Sequence, residues 1–444
     1  MCADDGTCVG SGACTGLACQ VAACNSPGQM PTTITGTVFA PNGTLPLFGV
    51  DVYVPNDDPG SFPTGVQCTR CSDGLPGNPV VQTTTDEMGH FTLAGIPSGT
   101  NVPVIISIGK WRREIKIPTV TDCMSMPLAA ADTTLPKSMT DMTPNTTRVD
   151  MPMIAISTGS ADSLECLLHR LGVDNSEMGT AGGTQHIQLF NDVMSQGHGV
   201  GMFDSGVGGG ATFADSMTKL WDSQTDLSVF DIVILSCEGD QYPNTKPQTA
   251  MDALKGYADV GGRVFMSHWH NVWIEGSGNQ KPADWPAVAN FNNNGTAFYG
   301  DQDRIDEGGN PKGNSFATWM LNVGGSTTRD HVVIQGTSDN NATGKNTVAS
   351  ITAMATDWVY WTGGDGGTAG NQMVPQNFQF ETPVVGAANA ACGKVVFSDM
   401  HVSGNGGAGG SYPSSCGSAT DLTPQEKALA FMLFDIATCV GQIF

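Results

Sequence analysis

Thirteen cysteines constrain this chain more than any other feature, and five of them (Cys2, Cys8, Cys14, Cys19 and Cys24) fall in the first 24 residues. The segment around those five has almost no apolar side chains to bury. Collapse cannot hold it, so covalent or metal links must. Disulfides persist in oxidising compartments. The pattern therefore reads as a disulfide-linked, Cys-rich head over residues 1–31 of an exported protein, extracellular or at the cell surface. The opening "MCADDGTCVG" has neither a basic start nor an apolar core, so the leader is expected to have been removed. Cys2 offers a lipid-anchor site in such a precursor. The odd count leaves at least one cysteine unpaired within the chain.

A length of 444 residues exceeds what one core serves, so two or three domains are expected. The net charge of -23 repels phosphate backbones and excludes nucleic acid as a partner class. No apolar run approaches the roughly 18 residues of a membrane span. Only 14% of residues are charged and 57 are glycine, which suits turns and β-structure better than charge-studded helices.

Residues 32–124 carry short period-two runs: "TTITGTVFAP", "GVDVYVPN", "HFTLAG" and "WRREIKIPTV". Gly, Pro and Asn separate them, which predicts a small all-β sandwich. The stretches "TGTVFAPNG", "GVDVYV" and "TTDEMGHFTLAGIPSG" resemble the carboxypeptidase regulatory-like domain, a transthyretin-like sandwich. Its Thr-Asp-x-x-Gly-x-Phe turn matches Thr85, Asp86, Gly89 and Phe91. The resemblance implies an accessory domain that braces a neighbour. Cys68 and Cys71 could form a redox pair or half a zinc site. No second CxxC completes a zinc cage, so disulfides to each other or to Cys123 are expected. Residues 125–150 lack periodicity and read as a linker, with separable domains on either side. The basic patch Trp111 to Glu114 is expected to meet the acidic surface of the next domain.

From Met151 onward strands and helices alternate. "MPMIAISTG", "FDIVILSCEGD", "RVFMSHWH" and "KVVFSDMHVSG" read as strands; "SADSLECLLHRLGV", "KPQTAMDALKGYADVGG" and "LTPQEKALAFMLFDIATCV" read as helices. This order predicts an α/β domain with a mainly parallel sheet over 151–444 and an insertion at about 274–314. The order "MIAISTGSADSLECLLHRLGV", "LSVFDIVILS", "ALKGYADVGGRVFMSH" and "GKVVFSDMHVSG" resembles the class I glutamine amidotransferase-like superfamily, and within it the ThuA-like branch. That likeness implies a flavodoxin-like, amidotransferase-like sheet and a link to carbohydrate. Amidotransferases carry a cysteine nucleophile at the elbow after the Gly-Gly strand and end the late strand in His-Pro-Glu. Here His268 stands at the elbow and the late motif is His401-Val402-Ser403. Glutamine hydrolysis is therefore not expected. The chain as a whole also resembles a group of exported soil-bacterial proteins.

Ligands of open α/β sheets bind at the carboxyl ends of strands. Three such ends carry reactive side chains: Cys237-Glu238, His268-Trp269-His270 and Asp399-Met400-His401. His268, His270, His401 and Asp399 are candidate ligands for a divalent transition metal, zinc or copper. His268, His401, Cys237 and Glu238 are candidate catalytic groups. A metal-free polar pocket and a purely structural role are the other readings of the histidines. Cys237 could be nucleophile, ligand or half of a disulfide with Cys166, and the disulfide is expected in an exported chain. Two of Cys392, Cys416 and Cys439 are expected to pair. The glycine-rich loop "DSGVGGGATF" lacks phosphate-loop chemistry and reads as a tight or flexible turn. Two functions follow as expectations. One is an enzyme, intact or degenerate, acting on extracellular carbohydrate or another small molecule through the histidine site. The other is a non-catalytic surface protein of binding or self-assembly.

Overall fold

The structure, a computed structural model, describes residues 14–335, 343–363, 373–386, 390–402, 410–418 and 421–441. The first part contains β1 (Thr33–Thr37), β2 (Asp51–Pro55), β3 (Pro79–Thr84), β4 (His90–Ala94), β5 (Gly99–Ile108), β6 (Trp111–Val120), β7 (Ser125–Pro127) and β8 (Thr146–Asp150). They form two sheets, ordered β4-β1-β7 and β3-β2-β5-β6-β8. Alternation sets the faces: in β4, Phe91 and Leu93 point inward while His90, Thr92 and Ala94 face solvent. Ile34, Val52, Val54, Val104 and Ile106 complete the same core. The turn before β4 is held by the Asp86 carboxylate, which accepts from the backbone N–H of Met88 at 2.9 Å and of His90 at 2.8 Å. Gly89 has φ +74° there, and a Cβ would meet the Val38 carbonyl at 2.7 Å, so only glycine fits.

The segment expected as a linker belongs to the sandwich. β7 pairs parallel with β1, and β8 pairs antiparallel with β6. Its strand character was hidden because the outward side of β8 is charged rather than apolar. Arg112 on β6 is buried and pairs with Asp150 at 2.7 Å, and Arg113 pairs with Asp141 at 2.6 Å. The basic patch thus meets acids of its own sandwich, not those of the next domain.

The second part contains β9 (Ile154–Thr158), β10 (Met178–Thr180), β11 (Ile187–Asn191), β12 (Met202–Phe203), β13 (Ala214–Asp215), β14 (Ile232–Leu235), β15 (Arg263–Ser267) and β16 (Ala289–Phe298). It continues with β17 (Gly300–Ile305), β18 (His331–Ile334), β19 (Gly344–Ile351), β20 (Ala355–Trp361), β21 (Val374–Thr382), β22 (Gly393–Ser398) and β23 (Ser411–Tyr412). One 11-stranded sheet runs β10-β11-β9-β14-β15-β22-β21-β20-β17-β18, with β13 on β11. Pairings are parallel from β10 to β22 and antiparallel from β22 to β18. β16 and β19 form a separate antiparallel pair.

This corrects the expected fold class. The chain is mostly β-strand in large mixed and antiparallel sheets, and helices are few. Among the described residues, only Gln248–Asp259, Gly313–Asn322 and Pro424–Ile436 are helices of ten residues or more. The flavodoxin-like, mainly parallel α/β domain is therefore set aside. The span from 274 to 314, expected as an edge insertion, holds β16 and also β17, which lies inside the large sheet between β20 and β18.

The two parts are joined covalently and by packing. Cys68 bonds to Cys392 and Cys71 to Cys439, across sequence separations of 324 and 368 residues. In the chain-entropy picture a long loop closure of this kind stabilises by up to about 5 kcal/mol. Trp111 packs on Phe434 with ring centroids 5.7 Å apart, and Phe48 stacks on Phe431 at 5.8 Å. The remaining bridges between described residues are Cys14–Cys19, Cys24–Cys123 and Cys166–Cys416. Cys68 and Cys71 thus pair neither with each other nor with Cys123. Cys392, Cys416 and Cys439 each find a distant partner rather than one another. Cys237 is the free cysteine among the described residues, and Cys2 and Cys8 lie outside them. The glycine-rich loop is a tight turn in which Asp204 accepts from the Ser414 N–H at 3.0 Å. Among the described residues no helix is long and apolar enough to cross a membrane.

Candidate functional site

β14, β15 and β22 are consecutive parallel neighbours, with Leu235 level with Met266 and Ser267 level with Ser398. Their carboxyl ends therefore open at one edge of the sheet. Cys237 follows β14, His268 follows β15 and His401 follows β22. The chain leaves β15 through His268 at φ +44° and enters a single helical turn, His268–Asn271. A non-glycine residue in the left-handed region costs on the order of 1 kcal/mol, and such strain concentrates at functional sites. Here it swings the imidazole across the sheet edge.

The Sγ of Cys237 lies 3.5 Å from Nδ1 of His268. The His268 and His401 rings meet edge to face with centroids 5.0 Å apart. One ligand atom from each of the three side chains lies within 4.8 Å of the others. All three are buried, at 0%, 3% and 1% exposure for Cys237, His268 and His401. His268 Nε2 has no hydrogen-bond partner among the described residues. Burial, then the neighbouring His401 and Lys345, hold His268 well below the usual histidine range. Burial pushes the Cys237 thiol up to about 12. His268 and Cys237 are thus uncharged at neutral pH when no ion is bound: a neutral imidazole and a thiol.

Asp162, missed in the sequence, supports two of these side chains. It is fully buried and follows β9. One oxygen accepts from the Ser267 hydroxyl at 2.7 Å; the other accepts from the Val402 N–H at 3.0 Å. It thereby fixes the residue before His268 and the residue after His401. Gly159 lets this loop approach, since a Cβ there would meet the Cys237 carbonyl at 2.1 Å. The available signal was that β9 also ends at this edge, so its loop belonged with the other three.

The other candidates lie outside the cluster. His270 donates from Nε2 to the Ser236 carbonyl at 2.9 Å, and its Nδ1 accepts from Trp273 Nε1–H at 3.1 Å. Both ring nitrogens are committed to these partners. A helical turn begins at His268, so His270 lies in that turn and not on the strand. Asp399 accepts from the Thr347 N–H at 2.8 Å and the Thr347 hydroxyl at 2.6 Å, which ties β22 to β19. Burial pushes its carboxyl up to about 6. Glu238 is buried against Lys246 Nζ at 2.8 Å, and burial pushes it up to about 7. Ser403 of the late motif lies outside the described residues.

No family model and no curated protein matches the chain. Two solved cohesin–X-dockerin complexes from Acetivibrio cellulolyticus, an N-terminal and a C-terminal interface mutant, are similar to parts of it. They show 17% and 16% identity, cover 34% and 30% of this chain and 76% and 78% of theirs, and each has a TM-score of 0.17. A cytoplasmic protein from Salmonella typhimurium shows 11% identity over 64% of this chain and 99% of its own, with a TM-score of 0.32. At such scores these likenesses carry no argument about fold or function.

Proposed function

We propose that this is an exported protein that binds one transition-metal ion, zinc or copper, through Cys237, His268 and His401. The observation that carries this reading is the gathering of a thiol and two imidazoles within 4.8 Å in a buried setting. Thiolate and imidazole donors select zinc and copper over the hard cations magnesium and calcium. The neutral imidazole of His268 is already the binding form. A thiol gives up its proton on binding, so the cost of a buried thiolate is offset by the ion beside it. The five disulfides between described residues fit an oxidising, extracellular setting.

A cysteine–histidine nucleophile is the weaker reading. A thiol pushed up to about 12 supplies almost no thiolate at neutral pH. Action on carbohydrate rests on the ThuA-like resemblance, and a sugar could not touch side chains that are 3% exposed or less. An ion held for structure or electron transfer suits the burial better than substrate turnover.

Elemental analysis of the purified protein, before and after incubation with zinc or copper, tests the proposal. The expected result is about one ion per chain, lost in Cys237→Ser with the fold retained. Less than about a tenth of an ion per chain after loading and desalting overturns it.

A further inference from the structure

A cavity of about 640 Å³ lies between the sandwich and the large sheet, and none of the cluster residues lines it. Its volume falls in the range of small-molecule sites, and domain junctions are a preferred place for them. One wall is the outward face of β2 and its neighbours. Asp51 sits level with Thr84 of β3 and with Ser107 of β5, so these three share a row across the sheet. Phe62, Trp319, Phe431 and Phe434 give the rest of the lining an aromatic character. Thr84 is exposed at the rim.

Every carboxylate in this lining but one has a partner. Lys110 pairs with Asp231 at 2.6 Å, and Lys312 pairs with Asp435. Arg263 donates to the carbonyls of Gly261, Cys392 and Thr438. Arg70 donates to the Ala391 carbonyl and to the Cys392 sulfur, while Asp73 accepts from the Arg70 backbone N–H. Asp51 has no such partner among the described residues: burial alone acts on its carboxyl, which it pushes up to about 6. A half-buried carboxylate without a hydrogen bond or counter-ion costs stability. It is also what a cationic ligand would use.

We propose that this junction cavity binds an organic ammonium ion with an apolar body, its cationic head on Asp51 and its body against the aromatic wall. Aromatic faces attract ammonium groups and do so more strongly when water is excluded. An anion of the same size seated against Asp51 would be repelled by its carboxylate.

Calorimetric titration of the full chain with benzyltrimethylammonium, and in parallel with 3-phenylpropanoate, tests the proposal. The expected result is one saturable site for the cation, at least about tenfold tighter than for the anion. Asp51→Asn should weaken cation binding by about tenfold or more without lowering the melting temperature, because it removes an unpaired charge. Thr84→Lys, at an exposed position level with Asp51, should abolish it by supplying a built-in cation. No saturable cation binding, equal binding of the anion, or unchanged affinity in both variants overturns the proposal.

Discussion

The contact of 3.5 Å between Cys237 Sγ and His268 Nδ1 joins the carboxyl ends of two neighbouring parallel strands. It is made by side chains that the fold leaves uncharged and dry. A pair in that state is poorly set up for proton transfer, and the proposed soft cation is a better match for its donors.

Alkylation follows from the same burial. Cys237 is 0% exposed and is the free cysteine among the described residues. Iodoacetamide at pH 8 should leave it unmodified in the native chain for hours and label it promptly in guanidinium. Mass mapping of the peptide around Cys237 reads the outcome. Rapid native labelling would show an open, reactive thiol and revive the nucleophile reading.

Asp162 should matter through what it holds. Asp162→Ala leaves the Val402 N–H and the Ser267 hydroxyl without their acceptor, at a cost of about 2–3 kcal/mol in unfolding free energy. Asp162→Asn should cost less, since the Ser267 hydroxyl can rotate to donate or accept. Both should weaken metal binding by roughly 10–100-fold while the ion, once bound, keeps the same ligands. Urea unfolding and competition with a chelator separate the two effects. Unchanged metal affinity in the alanine variant would remove Asp162 from the site.

The elements read in the sequence and those missed differ in burial. β9, β14, β15 and β22 are buried on both faces, so they stand out as continuous apolar runs. β20 is only half-buried along much of its length, and β17 runs through "GDQDRI", so neither announces itself. That hidden antiparallel half is why a mainly parallel sheet was expected. The strand ends placed Cys237, His268 and His401 correctly at one edge. They did not show that His270 lies in a helical turn with both ring nitrogens hydrogen-bonded, because the backbone turns at His268. Disulfide partners were illegible for a different reason: Cys71 and Cys439 are 368 residues apart, and spacing does not encode such a pairing.

The junction should behave as one unit with the sheet. A chain beginning at Met151 would expose Phe431 and Phe434 and lose the partners of Cys392 and Cys439. It is expected to aggregate or to remain unfolded by near-ultraviolet dichroism. In the full chain, Cys71→Ala with Cys439→Ala should lower unfolding free energy by about 2–5 kcal/mol. A soluble, cooperatively folded chain from Met151 would show that the interface is dispensable.

Glu165 should make the protein less stable as pH rises. It lies in the helix Leu164–Arg170, is 0% exposed, and neither carboxylate oxygen has a hydrogen-bond partner among the described residues. Burial, with a further push from the negative charge of Asp162, raises its carboxyl from the usual 4.5 to about 8. A raised acid binds its proton more tightly in the folded state than in the unfolded one. Between about 4.5 and about 8 the unfolded chain therefore holds fewer protons at this residue, and stability falls with each step up in pH. Each full step of one pH within that window removes at most about 1.4 kcal/mol, so the whole loss amounts to a few kcal/mol. Glu165→Gln keeps the shape and cannot ionise. Urea unfolding at pH 5 and pH 8 should show a smaller fall for the glutamine variant than for the parent, and a higher stability of the variant at pH 8. Equal falls in both proteins would mean that Glu165 meets water or a cation on ionising, and that its burial is not what governs it.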